Sequence, residues 1–111
     1  MIGFAGLSYI RVKNLSSFCG VKHSITCSDG TDALALGLMA FGVGPGDAVF
    51  VPSFTFASTA EVVALVGATP IFIDVLPETY NINVESLNKG IELSKNLGLK
   101  PACIIPVDLF G

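Results

Sequence analysis

The sequence predicts an α/β fold built around a mostly parallel sheet, and two observations lead to that prediction. Short apolar runs typical of strands alternate with helical segments in the order β-α-β-α-β-α-β, and the connections between them are short. Parallel strands joined by right-handed helical crossovers are the economical packing for that order. In addition, Ala48 to Val51 is apolar without interruption, as expected of a strand in a parallel sheet.

The first half of the chain is predicted to hold two helices and the first strand. A short helix is expected over Val12–Phe18, closed by Gly20, because glycine readily adopts the backbone conformation that ends a helix. Strand one is expected over Ser24–Cys27. The next helix, Thr31–Phe41, is apolar nearly all round, which indicates burial on more than one side. A turn dense in glycine and proline, Gly42–Asp47, follows it.

The second half continues the alternation of helices and strands after the strand Ala48–Val51. The final helix is the most polar of the series, and Gly67 ends the helix before it. The predicted segments are the loop Pro52–Thr55, a helix from Phe56 or Ser58 to Val66, the strand Pro70–Asp74, the irregular loop Leu76–Asn83, the helix Val84–Leu97 and the strand Ala102–Val107.

The composition is unusually apolar for a domain that stands alone in water. Hydrophobic residues make up 51% of the chain and charged residues 14%, with a mean hydropathy of +0.72, whereas about 25% charged residues is typical. A membrane protein or the central layer of a larger α/β structure would each explain this. The longest apolar runs, Ala33–Val43 and Val62–Ala68, are shorter than the roughly 18 residues of a membrane span. The sequence therefore favours an interior piece of a soluble protein.

Charge and cysteine content exclude several classes of partner. The net charge is −3 and the six basic residues are scattered, so we expect no nucleic-acid partner. No charged leader precedes the apolar start of the chain, so no signal peptide is predicted.

Cys27 and Cys103 fall in predicted buried strands and lack metal-ligand spacing, so no metal site is expected. Free thiols fit a reducing cytoplasm, and His23 is interpreted as a surface or edge residue.

The turn Ser28–Thr31 is the strongest candidate for a binding site. Ser28 or Asp29 would cap the helix that follows, and Gly30 would let the backbone approach a ligand. The first N–H groups of that helix would then face an anion, most often a phosphate. A simple capped turn from strand to helix explains the same residues. The turn lacks the Gly-Lys-Ser/Thr of a Walker loop and the three glycines of a dinucleotide site.

Ligands of parallel sheets bind outside the carboxyl ends of the strands. Three predicted loops leave those ends and should converge there: Ser28–Thr31, Pro52–Phe56 and Asp108–Gly111. Either Phe54 or Phe56 could face a flat ligand, although each taken alone is as readily explained by core packing. A phosphate turn beside an aromatic loop predicts a planar phosphorylated ligand.

Seven segments resemble the DegT/DnrJ/EryC1/StrS sugar aminotransferases, which use pyridoxal 5'-phosphate (PLP). The resemblance covers Phe18–Gly111, whereas residues 1–17 form a poorly matched lead. It implies the N-terminal part of the large, PLP-binding domain of the three-layer aspartate aminotransferase fold (fold type I), and a homodimer. The segments are Gly20–His23, Ser28–Leu34, Gly42–Asp47, Val51–Thr59, Gly67–Pro70, Pro77–Ile82 and Ile105–Gly111.

The resemblance assigns roles to four residues of this chain. It implies that the backbone amides of Gly30, Thr31 and Asp32, with the Thr31 hydroxyl, hold the PLP phosphate. It also implies that Phe56 stacks on the pyridine ring. Asp29 departs from the family pattern, in which a small neutral residue is commoner. Its carboxylate is expected to weaken phosphate binding unless it is turned away as a helix cap.

The resemblance also implies residues that this chain does not supply. The lysine that forms the Schiff base and the aspartate that pairs with the pyridine nitrogen are expected beyond Gly111, and none of the five lysines here matches. The chain is thus expected to be an N-terminal fragment that carries no catalytic residue and is inactive alone.

The parent enzyme is expected to transfer an amino group from glutamate to a nucleotide-linked keto-sugar, as a cytoplasmic enzyme of nucleotide-sugar and polysaccharide biosynthesis. Three alternatives remain: a PLP-dependent sugar dehydratase of the same family, a non-catalytic phosphate- or nucleotide-binding domain, and a truncated reading frame without function.

Overall fold

The computed structural model describes residues 2–111, with side chains from Arg11 onward. The described residues divide into two compact units, one that ends at Ala33 and one over Leu34–Gly111. Four helices and three strands are present in the described part of the chain. They are α1 Ile2–Cys19, α2 Gly30–Ala40, β1 Asp47–Pro52, α3 Ser58–Leu65, β2 Thr69–Ile73, α4 Val84–Asn96 and β3 Lys100–Ile104.

Helix α1 is longer than the sequence predicts, but it ends where predicted. Gly20 has a φ of +66°, the left-handed conformation that favours glycine. The N–H of Gly20 donates to the carbonyl of Ser17 at 3.3 Å, and the N–H of Val21 donates to Ser16 at 3.0 Å. These bonds satisfy carbonyls that the helix end would otherwise leave without a partner. The prediction that Gly20 closes this helix is confirmed.

The predicted first strand, Ser24–Cys27, is wrong. The segment is irregular, the side chain of Ile25 is 87% exposed, and the thiol of Cys27 is exposed rather than buried. A strand forms only when a neighbouring strand supplies hydrogen-bond partners. Among the described residues, no strand pairs with this segment, so its apolar side chains alone do not make it a strand.

The sheet of the second unit is parallel, as predicted, and its strand order is β2-β1-β3. The central strand β1 is buried from Ala48 to Pro52. Strand β3 begins at Lys100, two residues before the predicted start, and ends at Ile104, three residues before the predicted end. Within the described chain its only strand neighbour is β1. For that reason most of β3 is exposed, and Cys103 is only half-buried.

The side chains of β1 alternate between two clusters, one on each face of the sheet. Val49 and Val51 pack with Leu38 of α2 and with α3. Ala48 and Phe50 pack on the other face with β2 and α4. The result is the three-layer α/β arrangement that the sequence predicts, and it explains why β1 is apolar without interruption.

Helix α2 is buried on one side only, so the prediction of burial on more than one side is wrong for this chain. Ala35 and Leu38 are buried, whereas Leu36, Met39 and Phe41 are 48%, 64% and 81% exposed. The described residues cover only the face that packs on the sheet.

No helix in the described part of the chain has both the length and the hydropathy needed to cross a membrane.

Helix α4 packs closely on the sheet and has a well-formed N-terminus. The Asn83 side chain accepts hydrogen bonds from the N–H groups of Glu85 and Ser86 at 2.9 and 3.3 Å, which satisfies two donors of the first turn. At Gly90 an added Cβ would lie 2.5 Å from the Ile73 Cδ1 atom. The absence of a side chain at Gly90 therefore sets how closely α4 approaches β2.

Candidate functional site

The turn before α2 is built around Asp29, which caps the helix. Its Oδ1 atom accepts a hydrogen bond from the N–H of Asp32 at 2.9 Å, and its carbonyl accepts one from Ala33 at 3.1 Å. The hydroxyl of Ser28 donates to the carboxylate of Asp32. The prediction that Ser28 or Asp29 caps this helix is confirmed, and the residue is Asp29. Its carboxylate caps the helix but is not turned away from the turn, because it bonds to the Asp32 amide, so its negative charge stays beside the predicted phosphate-binding amides.

Two of the three predicted phosphate-binding amides are free of bonds within the helix. Gly30 and Thr31 are the first residues of α2, and N–H groups at those positions have no partner within a helix. The amide of Asp32, in contrast, already donates to Asp29. An added Cβ at Gly30 would meet open space, because no atom lies within 4 Å of it. The turn is therefore open to a ligand at its first two amides.

Phe56 belongs to the loop Ser53–Ala57, which follows β1 in the second unit. The N–H of Ser53 donates to the carbonyl of Ile73 at 2.8 Å, which ties the loop to β2. The carbonyl of Phe56 accepts from the N–H of Thr59 at 3.1 Å, which ties its other end to α3. Phe54 and Phe56 are 51% and 77% exposed. Neither ring is buried in the core that the described residues form.

A cavity of about 380 Å³ lies beside this loop at the carboxyl edge of the sheet. It is lined by Ser53, Phe54, Thr55 and Phe56 together with Leu109, which follows β3. The strand order reverses at β1, and such a reversal opens a crevice between neighbouring carboxyl ends. The second and third predicted loops therefore meet, as expected, whereas the turn at Gly30 belongs to the first unit.

Three aromatic side chains join the segments that follow the three strands; we call them the aromatic cluster (Phe54, Tyr80, Phe110). The ring of Tyr80 lies 5.2 Å from that of Phe54 and 5.2 Å from that of Phe110, measured between centroids. Sequence reasoning did not single out Tyr80. The available signal was an aromatic residue within an otherwise polar turn after β2.

Other clusters in the described residues do not add to this site. A second cavity, of about 400 Å³, lies between α4 and β3 and is lined mainly by apolar side chains, among them Phe50 and Ile91. No group of three His, Cys, Asp or Glu side chains within the described part of the chain is arranged to hold a metal ion.

Solved structures identify the class of protein to which this fold belongs. A DegT DnrJ EryC1 StrS aminotransferase from Brucella abortus superposes with a TM-score of 0.83 and 60% identity, over 90% of this chain and 27% of that one. The sugar aminotransferase Spr1654 from Streptococcus pneumoniae, in its PMP form, superposes with a TM-score of 0.74 and 30% identity, over 88% of this chain and 23% of that one. The three-layer unit is thus a part of the aminotransferase fold.

The sequence then identifies the family. Residues 12–111 match the DegT/DnrJ/EryC1/StrS aminotransferase family, and the chain belongs to that family. The resemblance predicted from the motifs is confirmed. A UDP-2-acetamido-2-deoxy-3-oxo-D-glucuronate aminotransferase from Pseudomonas aeruginosa is 46% identical over 87% of this chain and 25% of its own length. The GDP-perosamine synthase of Caulobacter vibrioides is 42% identical over 89% of this chain and 25% of its own length. The chain spans about a quarter of each relative.

Proposed function

We propose that this chain is the cofactor-binding front part of a PLP-dependent aminotransferase that acts on a nucleotide-linked keto-sugar. The observation that carries the proposal is the exposed ring of Phe56 at a cavity on the carboxyl edge of the sheet. The family and the names of the relatives support the sugar substrate. Glutamate as the amino donor, a homodimer and a cytoplasmic location belong to the same proposal.

The start of α2 is suited to hold the phosphate group. The N–H groups of Gly30 and Thr31 would donate to phosphate oxygens, with the Thr31 hydroxyl as a third donor. The partial positive charge at a helix N-terminus favours an anion there. The amide of Asp32 would join them only if Asp29 released it, because that N–H already donates to the Asp29 carboxylate.

Phe56 is suited to hold the cofactor ring. A flat ligand stacked on this exposed ring would remove apolar surface from water and would be fixed in orientation. The bound cofactor would supply the electron sink for carbanion chemistry, and the residues of this chain would bind and orient it. We expect the chain alone to bind the cofactor without transferring an amino group, because none of its five lysines matches the family's Schiff-base position.

Binding of pyridoxamine 5'-phosphate (PMP), which needs no Schiff-base lysine, tests the proposal. PMP fluorescence anisotropy with the purified chain would give its affinity, and pyridoxamine without the phosphate should bind at least tenfold more weakly. Phe56→Ala should weaken PMP binding about tenfold, or about 1.4 kcal/mol, which lies at the upper end of the range for a pair of stacked aromatic rings. Phe56→Tyr, which keeps the ring, should bind nearly as the unmodified chain does.

Phe72→Ala provides the matched control, because Phe72 is a similarly exposed phenylalanine (61%) that lies on β2 outside the cavity. It should leave PMP affinity unchanged. A chain that binds UDP but not PMP would refute the cofactor proposal and indicate a non-catalytic nucleotide-binding domain.

Asp29→Ser is expected to raise PMP affinity by about threefold to tenfold at low salt. Serine preserves the helix cap, while the substitution removes a negative charge next to the proposed phosphate position. The gain should shrink as salt is added, because ions screen exposed charges. Glu92→Gln makes the same change in net charge on the exposed face of α4 and should have no effect. An unchanged affinity in Asp29→Ser would argue against a phosphate at this turn.

A further inference from the structure

Tyr80 has a backbone conformation that its side chain does not favour. Its φ of +59° is the only positive φ of a non-glycine residue in the described part of the chain. An aromatic residue in the left-handed region is strained and persists only where the surroundings enforce it. Such residues often lie at functional sites, so the reason for a tyrosine here is informative.

The turn around Tyr80 is fixed by its own backbone hydrogen bonds. The N–H of Tyr80 donates to the carbonyl of Leu76 at 2.8 Å, and the N–H of Leu76 donates to the carbonyl of Asn81 at 2.9 Å. A bridge between Val75 and Ile82 closes the base of the turn. Glycine or asparagine would satisfy this backbone with less strain. The backbone therefore does not explain a tyrosine at this position, and the reason must lie in the contacts of its ring.

The ring of Tyr80 contacts the segments that form the cavity. It packs against Phe54 at an interplanar angle of 34° and against Phe110 edge-on at 69°. Phe54 and Phe56 line the cavity, and so does Leu109, the neighbour of Phe110 in the sequence. Backbone hydrogen bonds tie the ends of the loop Ser53–Ala57 to the sheet and to α3, and the Thr55 hydroxyl lies 3.4 Å from the Thr59 hydroxyl of α3. The ring contact with Tyr80 adds a hold on Phe54, which these bonds do not involve.

We propose that Tyr80 is a positioning residue of the cofactor site: its ring, placed by the strained turn after β2, holds Phe54 and thereby the ring of Phe56. The ligand in this inference, the cofactor, rests on the proposed function. The claim that Tyr80 holds the ring of Phe56 in position does not depend on that function. It assigns a role to the segment Pro77–Ile82, which takes no part in the contacts proposed above for phosphate and ring.

The orientation of Phe56 can be measured without any cofactor. 4-Fluorophenylalanine at position 56 should give one narrow ¹⁹F resonance, displaced from that of the unfolded chain. Tyr80→Gly and Tyr80→Asn, which both tolerate the backbone conformation, should broaden that resonance and move it toward the unfolded value. Tyr80→Phe, which keeps the ring, should leave it in place.

The same fluorinated residue placed at position 72 distinguishes a local effect on Phe56 from a general loss of structure. Its resonance, and the urea midpoint of the chain, should change little in Tyr80→Gly, because relief of the strained backbone offsets the lost ring contacts. PMP affinity should fall about fivefold in Tyr80→Gly and stay unchanged in Tyr80→Phe.

Three results would overturn the inference: a Phe56 resonance that stays in place in both Tyr80→Gly and Tyr80→Asn, an equal disturbance at both labels, or an equal effect of Tyr80→Phe. If the unmodified chain does not bind PMP, the proposed function fails, while the ¹⁹F comparison still decides whether Tyr80 positions Phe56.

Discussion

Phe50→Ala is expected to destabilise the chain by about 4 kcal/mol, within the range measured for buried phenylalanines. Phe50 lies on the central strand β1, is 2% exposed and packs with Ile71 and Ile73 of β2. Leu87 and Ile91 of α4 cover the same cluster. Truncation removes the transfer free energy of the ring and leaves a cavity between the sheet and α4. Since small domains have a free energy of unfolding of about 5–15 kcal/mol, this loss is a large fraction of the total stability.

Phe72→Ala is the control for this prediction. Phe72 lies on the neighbouring strand β2, in register with Val51, but its ring is 61% exposed. The same truncation should cost less than about 1 kcal/mol there, because little apolar surface is removed from water by folding. Urea unfolding followed by far-ultraviolet circular dichroism would compare the two variants. Similar losses for both would show that β1 is not the centre of the core.

Gly90→Ala is expected to destabilise the chain by about 2 kcal/mol, although alanine is the better helix former. The added Cβ would lie 2.5 Å from Ile73 Cδ1 and 3.3 Å from Ile71 Cγ2. Ile73 is fully buried, so its side chain cannot move aside without disturbing the cluster around Phe50. Such overpacking costs typically 1–3 kcal/mol, and the gain in helix propensity offsets only part of it.

Gly37→Ala is the matched control, because Gly37 lies within α2 with no atom within 4 Å of an added Cβ. There the same substitution should stabilise the chain by about 0.5–1 kcal/mol through helix propensity alone. Opposite signs at two helical glycines, measured by the same urea unfolding, would confirm that α4 rests on the sheet at Gly90. A stabilised Gly90→Ala would contradict the packing described for α4.

The parts of the fold that the sequence predicted well are those determined by nearby residues. The apolar run of β1 requires cover on both faces, and the structure provides it through α2, α3 and α4. The glycine ends of α1 and α3 follow from local backbone preference, and Gly67 has a φ of +81° after α3. The segment Ser24–Cys27 was predicted wrongly because strand formation depends on a neighbouring strand, which no local pattern reports.

The site shows the same division between local and distant determinants. The cap at Asp29 and the exposed amides of Gly30 and Thr31 follow from turn chemistry within a few residues. The exposure of Phe56 did not follow from the sequence, because a phenylalanine in a loop is as readily buried. Tyr80 could not be found, since its contacts come from segments that follow three different strands.

The outer edge of β3 affects how this chain behaves at high concentration. Because β1 is its only strand neighbour in the described chain, β3 offers unpaired backbone donors and acceptors along its other side. Free edges of this kind allow copies of a protein to pair strand to strand and aggregate. Pro101, which has no N–H to donate, and Lys100, which carries a charge, both lie on this strand. Proline and lysine are the residues that natural proteins use to limit such pairing, so the start of β3 disfavours it.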